Sequence, residues 1–534
     1  MKIFAFAFFI FIALSISAQK IDIAWGNVAK ANGPLEAYFV AGHDATGSYI
    51  VNRRYFNGGK IFLNKFDLNN NIIYTKELKM PLFEKKDVDF VKLCYFNGKL
   101  VLLSTKFNKS SGKSYAYLST VGLDGEVNKD IKKADSVNAE YKWNPGEFNC
   151  SVTDDGSKFV LFHNEPYRAE SISLAGMYDR RGNERFTIRI FDKNLNSIWK
   201  KNIMLPIDDV TIPHNAKDFD IKKYFGSRGD LMYILGGKEE SNAGEDYNKK
   251  VYIYYLFKYD LSKNEELEYV LDVGNKYVSN VAMQLDNENR LVCVGFYSNT
   301  SAFIIAGIFC ERLDGTTMET VSKAFRIFND ATIEMMKPLR TKNLTLQAGK
   351  SQSGISLMEY KIHEIVERED GSYIMTSEQY EADITNQAAN SQYKTYDYTY
   401  SNIFVARIKP TGEVDWTTII PKYQVSANEG GLNSSFAACV GKEKVYLIYN
   451  DAKENVGQKY AGKIQEINTT DKKVPVVAMI DAEGIYYEKK ELQINKKNNE
   501  MSIRPKISYK TGSNKLEIIA VDGNKFILGT VVFD

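Results

Sequence analysis

One recurring pattern limits what this chain can fold into more than any other: an apolar strand that closes on an apolar residue followed by Asp. It recurs at the dipeptides Phe66-Asp67, Leu123-Asp124, Phe191-Asp192, Tyr259-Asp260, Leu313-Asp314, Ile480-Asp481 and Phe533-Asp534, and at Ile408-Lys409 with Lys in place of Asp. Asn, Asp and Gly follow these endings, and such residues form turns because their side chains bond the local backbone or they tolerate positive φ. Each ending therefore predicts a hairpin between two strands.

A second strand precedes each ending. These begin at Gly47, Gly98, Asp155, Gly229, Asn289, Asp370, Glu443 and Asn514. Their nearly continuous apolar runs suit strands covered on both faces. With an earlier strand such as DFVKLCYF ahead of Gly98, the unit becomes a four-stranded meander of roughly 50 to 95 residues, the pattern of a propeller blade. The expected fold class is all-β: a single β-propeller of eight four-stranded blades, with seven as the alternative.

The chain ends supply a separate expectation. The last unit stops at Asp534, one strand short, while Lys20 to Trp25 (KIDIAW) stands free ahead of the first unit. Pairing this N-terminal strand with the last blade would close the ring and remove a sheet edge. Tyr74 and Trp199 follow their Asp by seven residues and Trp416 follows Lys409 equally, so Trp25 is expected at the matching place in the last blade.

Residues 1–18 read as a signal peptide. Lys2 precedes an apolar run from Ile3 to Ile16, and Ser15, Ser17 and Ala18 offer a cleavage site. The run is shorter than a membrane span, and no later stretch is long and apolar enough to be one. A periplasmic or secreted protein follows, with residues 19–534 forming the propeller. The charges nearly balance, 69 basic against 67 acidic, so there is no basic field for a nucleic-acid backbone.

Chemistry-bearing motifs are sparse. His43, His163, His214 and His363 lack H-E-x-x-H spacing, and GKSQSG from Gly349 lacks the first Gly of a phosphate-binding loop. Asp208, Asp209, His214, Asp218 and Asp220 gather in one loop without the Gly-centred spacing of an EF-hand, and the D-x-N-x-N stretches at Asp67 and Asp192 read as turns. Cys94, Cys150 and Cys439 are placed just before apolar strands, Cys293 and Cys310 inside one unit, and none has C-x-x-C spacing. No cofactor, metal or catalytic residue is expected.

The pattern GSYI at Gly371, followed by FVARIKPTGEVDW at Phe404, resembles the propeller repeats of secreted Bacteroidota proteins. It is similar also to the tryptophan-docking repeats of quinoprotein-type propellers. The resemblance implies architecture; only Trp199 and Trp416 keep the Trp within a blade repeat, and no quinone or metal constellation accompanies them.

Function is best legible in the loops. Long connections between second and third strands are expected at residues 163–185, 379–401 and 451–473, all on one face, and insertions on one face of a repeat array commonly mark the binding side. Tyr167, Arg168, Tyr178, Arg180 and Arg181 lie in the first, and Tyr380, Tyr393, Tyr396, Tyr398 and Tyr400 in the second. Tyr and Arg are enriched at interfaces because they offer large contact area with hydrogen-bonding ends. The segment between Ser322 and Gly354 is a further insertion, with NDATIEMMKPL as a short helix whose Met pair packs on the ring. The expected role is binding or scaffolding toward a protein or glycan of the cell envelope. The alternative is a glycan-active enzyme, glycosidase or lyase, with a carboxylate pair in the central funnel.

Overall fold

A computed structural model describes residues 21–533 apart from 32–36, 54–58, 84–85, 140–141, 143–144, 154, 165–170, 173–177, 180–182, 209–224, 241–250, 301–303, 338–359, 387–393, 429, 459–463, 469–470 and 495–500. It is all-β, with eight antiparallel blades arranged as an eight-bladed propeller. The blades span residues 37–77, 89–138, 147–208, 225–270, 277–327, 360–420, 437–491, and 502–532 completed by Asp22–Trp25. Among the described residues no helix is long and apolar enough to cross a membrane.

The repeated Asp has a local cause. In blade one, Asp67 Oδ1 accepts from the backbone N–H of Asn69 at 2.9 Å and of Asn71 at 2.8 Å. Asp192 does the same for Asn194 and Asn196, and Asp314 for Thr316 and Thr317. The carboxylate satisfies N–H groups that the tight turn leaves without strand partners. This occupies the D-x-N-x-N oxygens at Asp67 and Asp192.

Period-two patterning then builds the ring. In blade seven, Ala438, Val440, Val445, Leu447, Val476 and Ala478 face blade six, while Ala437, Cys439, Tyr446 and Ile448 face blade eight. Eight such cores fill the eight interfaces between neighbouring blades, the last joining Ile519, Val521, Phe526 and Leu528 to Ile50 and Phe66 of blade one. A strand buried on both faces needs apolar residues at successive positions, which is why the second strands read as continuous runs.

Closure follows the expected pairing. Asp22, Ile23, Ala24 and Trp25 pair antiparallel with Val532, Val531, Thr530 and Gly529. The register of Trp25 does not match the other aromatics. Tyr74 opposes Lys65, Trp199 opposes Ile190 and Trp416 opposes Arg407, each the residue two before its turn Asp or Lys. The corresponding residue of blade eight is Val532, and it opposes Asp22. Trp25 is three residues further along, an odd offset that turns it to the other face of the sheet. It packs into the core between blades seven and eight and donates from Nε1 to the Gln493 carbonyl at 3.2 Å. Trp416, by contrast, reaches forward to the next blade, donating to the Ala482 carbonyl at 2.9 Å. Gly484, at φ +83°, lies beneath that ring, where a Cβ would come within 2.5 Å of it.

One further sequence expectation is corrected and another is made specific. Cys94, Cys150 and Cys439 lie ahead of the apolar second strands as expected, on the first strands Asp89–Phe96, Glu147–Val152 and Ala437–Val440. Glu147–Val152 interleaves polar and apolar residues, which hides it in an apolar scan. Ser322 belongs to the fourth strand of blade five, Thr320–Ile327, so the insertion begins after it. Its helix, Asp330–Met336, is capped by Asn329, whose Oδ1 accepts from Thr332 N at 2.8 Å. Of the Met pair, Met336 is buried in the core between blades five and six and Met335 is 48% exposed.

Candidate binding face and its buried anchor

The expected loop of blade six is for the most part a ladder. The second strand, Tyr373–Asn386, and the third, Lys394–Ile408, run 14 and 15 residues, against seven each for the corresponding strands of blade seven, Val445–Asp451 and Val474–Ile480. Tyr and Thr at every position from Thr395 to Tyr400 except Asp397 favour this extension, since both are strong strand formers. The paired ribbon from Tyr380 to Asn386 reaches about 20 Å past the body of the blade at 3.3 Å per residue. Pairing Tyr380 with Tyr400, Ala382 with Tyr398 and Ile384 with Tyr396 gathers these positions on one face. Glu381, Asp383, Thr385, Thr395, Asp397 and Thr399 occupy the other.

The predicted residues divide sharply. Tyr398 is half-buried, and Tyr400 is buried, its ring 5.1 Å from that of Tyr380 and under the Lys506 ammonium at 4.4 Å. Tyr396 lies on the ribbon strand. Tyr178 sits in a small hairpin of blade three, where Ser171–Ile172 pairs with Tyr178–Asp179. Tyr167, Arg168, Arg180, Arg181 and Tyr393 lie outside the described residues, as do Asp209, His214, Asp218 and Asp220.

Beneath the ribbon lies a polar cluster that sequence spacing did not single out. Glu378 and Lys422 form an ion pair at 2.6 Å with both side chains fully buried. Ser435 donates to Glu378 Oε2 at 2.6 Å, and His363 Nε2 lies 3.2 Å from the same oxygen. Burial pushes the Glu378 carboxyl up, but the charges of Lys422 and His363 prevail and hold it at about 2. Lys422 also donates to the Tyr400 carbonyl at 3.2 Å and to Gln424 Oε1 at 2.8 Å. Gln424 passes the contact to the Asn450 carbonyl, and Asn450 bonds the backbone of Ile503 in blade eight. Asp451 and Lys489 form a second wholly buried pair at 2.7 Å. A strand segment, Gln424–Ala427, adds to the edge of the ribbon by pairing with Asp397 through Tyr400.

A β-bulge aims His363. Ile362 and Glu364 oppose Ser377 and Thr376, leaving His363 as the extra residue. Ala41, Val91 and Ser279 are skipped likewise in the first strands of blades one, two and five. Ser, His and Glu meet here in an order unlike a nucleophile relay, because the carboxylate sits between hydroxyl and imidazole. Glu364 is matched by Lys510 of blade eight at 2.8 Å, so each of these two acids has its own cation. Among the described residues no group of three or more His, Cys, Asp or Glu is placed to hold a metal ion.

A second buried charge cluster supports blade three. Asp135 of blade two receives Lys200 at 2.9 Å and Arg189 at 3.1 Å. His163 Nδ1 lies 3.7 Å from it, and the ring packs edge-on to Phe148 at 5.2 Å. Burial pushes the His163 imidazole down to about 4, ahead of the opposing pull of Asp135. Because the folded value is below the free one, stability is complete above about pH 6.5 and falls as the unfolded chain takes up the proton, down to about pH 4. The expected loss is about 3 kcal/mol over that window. Urea unfolding of His163→Gln against the parent from pH 7 to 4 measures it. A parent curve no steeper than the variant's would contradict a buried neutral imidazole.

No protein-family model matches the chain, and no curated protein matches it in sequence. The chain is similar in structure to Sqt1 of Saccharomyces cerevisiae, at 7% identity over 95% of this chain and 98% of that one, with a TM-score of 0.37. The AfRom2 CNH domain is 11% identical over 95% and 100%, with a TM-score of 0.33. A member of the DUF4221 family from Bacteroides vulgatus is 9% identical over 80% and 92%, with a TM-score of 0.27. No family match supports the likeness to quinoprotein-type repeats or to the Bacteroidota group.

Proposed function

We propose that this chain is an exported, non-enzymatic binding propeller that engages a protein or glycan partner of the cell envelope through the ribbon face of blade six. The observation that carries this reading is the ribbon register. It collects Tyr380, Tyr396, Tyr398 and Ile384 at positions of one face, on a strand pair anchored below by buried charge. A preformed aromatic face binds without the ordering cost that a loose loop would incur. The nearly balanced net charge of +2 leaves recognition to contact area and hydrogen bonds.

The test follows from the strand register and from the burial of Tyr400. Tyr400 is buried, so replacing it would disturb folding. Tyr396 and Tyr398 are the positions to change to Ser together. The parent protein is expected to retain a defined partner from envelope extract that the double variant releases, with affinity reduced at least about tenfold and an unchanged unfolding midpoint. Equal capture by both proteins would count against the ribbon face. Hydrolysis of envelope glycans by the purified chain would replace binding with catalysis.

A further inference from the structure

The register of the strands sorts the five cysteines, all of them buried free thiols. Cys293 and Cys310 lie on adjacent strands of blade five, but Cys293 opposes Glu311 and Cys310 opposes Val294. That one-residue offset puts the two thiols on opposite faces of the sheet. Accordingly, Cys310 belongs to the core between blades five and six, and Cys293 to the core between blades four and five. Cys439 lies in a third core, between blades seven and eight. Cys94 and Cys150 alone share one, between blades two and three, and their sulfurs are 3.7 Å apart.

We propose that Cys94 and Cys150 are a paired redox site that closes to an interblade disulfide when the protein meets a small-molecule disulfide. The two residues sit on the first strands of neighbouring blades, already in sulfur contact. A bond at about 2.05 Å asks for less than 2 Å of further approach. Lys92 braces the junction, donating to the Cys150 carbonyl at 2.8 Å and to Asn149 Oδ1 at 3.3 Å.

The chemistry is a two-step exchange. Cys94 is 8% exposed and Cys150 fully buried, so Cys94 is the thiol that the reagent meets first. The hydrogen bond from Cys150, helped by the Lys92 charge, holds the Cys94 thiol below its ordinary value against the upward push of burial and so raises the share of thiolate. The thiolate attacks one sulfur of the reagent, forming a mixed disulfide and expelling one reagent thiol. Cys150 then attacks the Cys94 sulfur, forming the protein disulfide and expelling the second. The protein loses two electrons and two protons, and both reagent thiols carry them away.

The bond would close a loop of 56 residues and tie blade two to blade three. It would shift the unfolding equilibrium toward the native state by on the order of a hundredfold or more. This inference does not depend on a partner or on export, because the test uses purified protein.

The experiment is incubation of the native purified chain, and in parallel its refolding, in a mixture of oxidised and reduced glutathione, each followed by counting thiols in denaturant. Five thiols should fall to three, with one cross-linked pair of peptides containing Cys94 and Cys150. Cys439→Ser should still lose two thiols, and Cys94→Ser should lose none. Five thiols after both refolding and native incubation would overturn the proposal. So would loss of two thiols in Cys94→Ser, which would put the pair elsewhere.

Discussion

A chain lacking residues 1–31 is expected to lose about 5 kcal/mol or more of stability and to self-associate. The segment acts at three places at once. Asp22–Trp25 covers the edge of Lys525–Val532. Ile21, Ile23, Trp25 and Val28 pack into the core between blades seven and eight. Ala29 and Ala31 lie in the core that joins blade eight to blade one. Polar contacts cross the same seam: Asn70 donates to the Ala24 carbonyl at 2.7 Å, and Thr530 donates to Asn70 Oδ1 at 3.0 Å. Without the segment, the third strand of blade eight becomes a free edge flanked by two opened cores.

The loss should be repairable in trans. A synthetic peptide spanning residues 20–31 can supply the missing strand by the same main-chain pairing. The expected result is a saturable rise of the unfolding midpoint toward that of the intact chain. A peptide carrying Ile23→Asp and Trp25→Ser should not give it. An unaltered midpoint in the truncated chain would mean that the seam contributes nothing, against the pairing seen in the structure.

The closure was legible in the sequence because it is a question of strand count, and the repeat supplies that count. Register was not. Trp25 reads as equivalent to Trp199 and Trp416, yet its offset of three residues sends it to the other face, and no local residue pattern reports that offset. The turn Asp residues were legible because their partners lie two to four residues away. Glu378 and Lys422, 44 positions apart, and Cys94 and Cys150, 56 apart, were not: lateral strand pairing through Ile403 and Ile420 brings the first two together within blade six, and the packing of blade two on blade three brings the second two together. Tyr400 illustrates the same limit. Its sequence neighbours suggest a surface loop, but pairing with Gln424–Ala427 and the approach of Lys506 bury it.

Lys422→Met is expected to cost about 3–5 kcal/mol, the usual penalty for leaving a buried carboxylate without its cation. Glu378 would retain Ser435 and His363, but neither replaces the ammonium at 2.6 Å. The effect should depend on pH with a definite sign. In the parent, the Glu378 carboxyl is held at about 2, so its stabilisation is present above the ordinary carboxyl range and is lost as pH falls toward that value. In the variant, burial dominates and raises the carboxyl instead, so its deficit relative to the parent should shrink as pH is lowered. Pairing Lys422→Met with Glu378→Met removes the orphaned charge and should recover most of the loss. Guanidinium unfolding of the parent, the two single variants and the double variant at pH 5 and pH 8 closes this cycle. Hydrogen exchange then reads the consequence for binding: because Lys422 donates to the Tyr400 carbonyl, the ribbon amides from 394 to 400 should exchange faster in Lys422→Met while those of blade two do not change. Uniform exchange across both blades would show that the buried pair stabilises the ring as a whole and does not hold the ribbon in place.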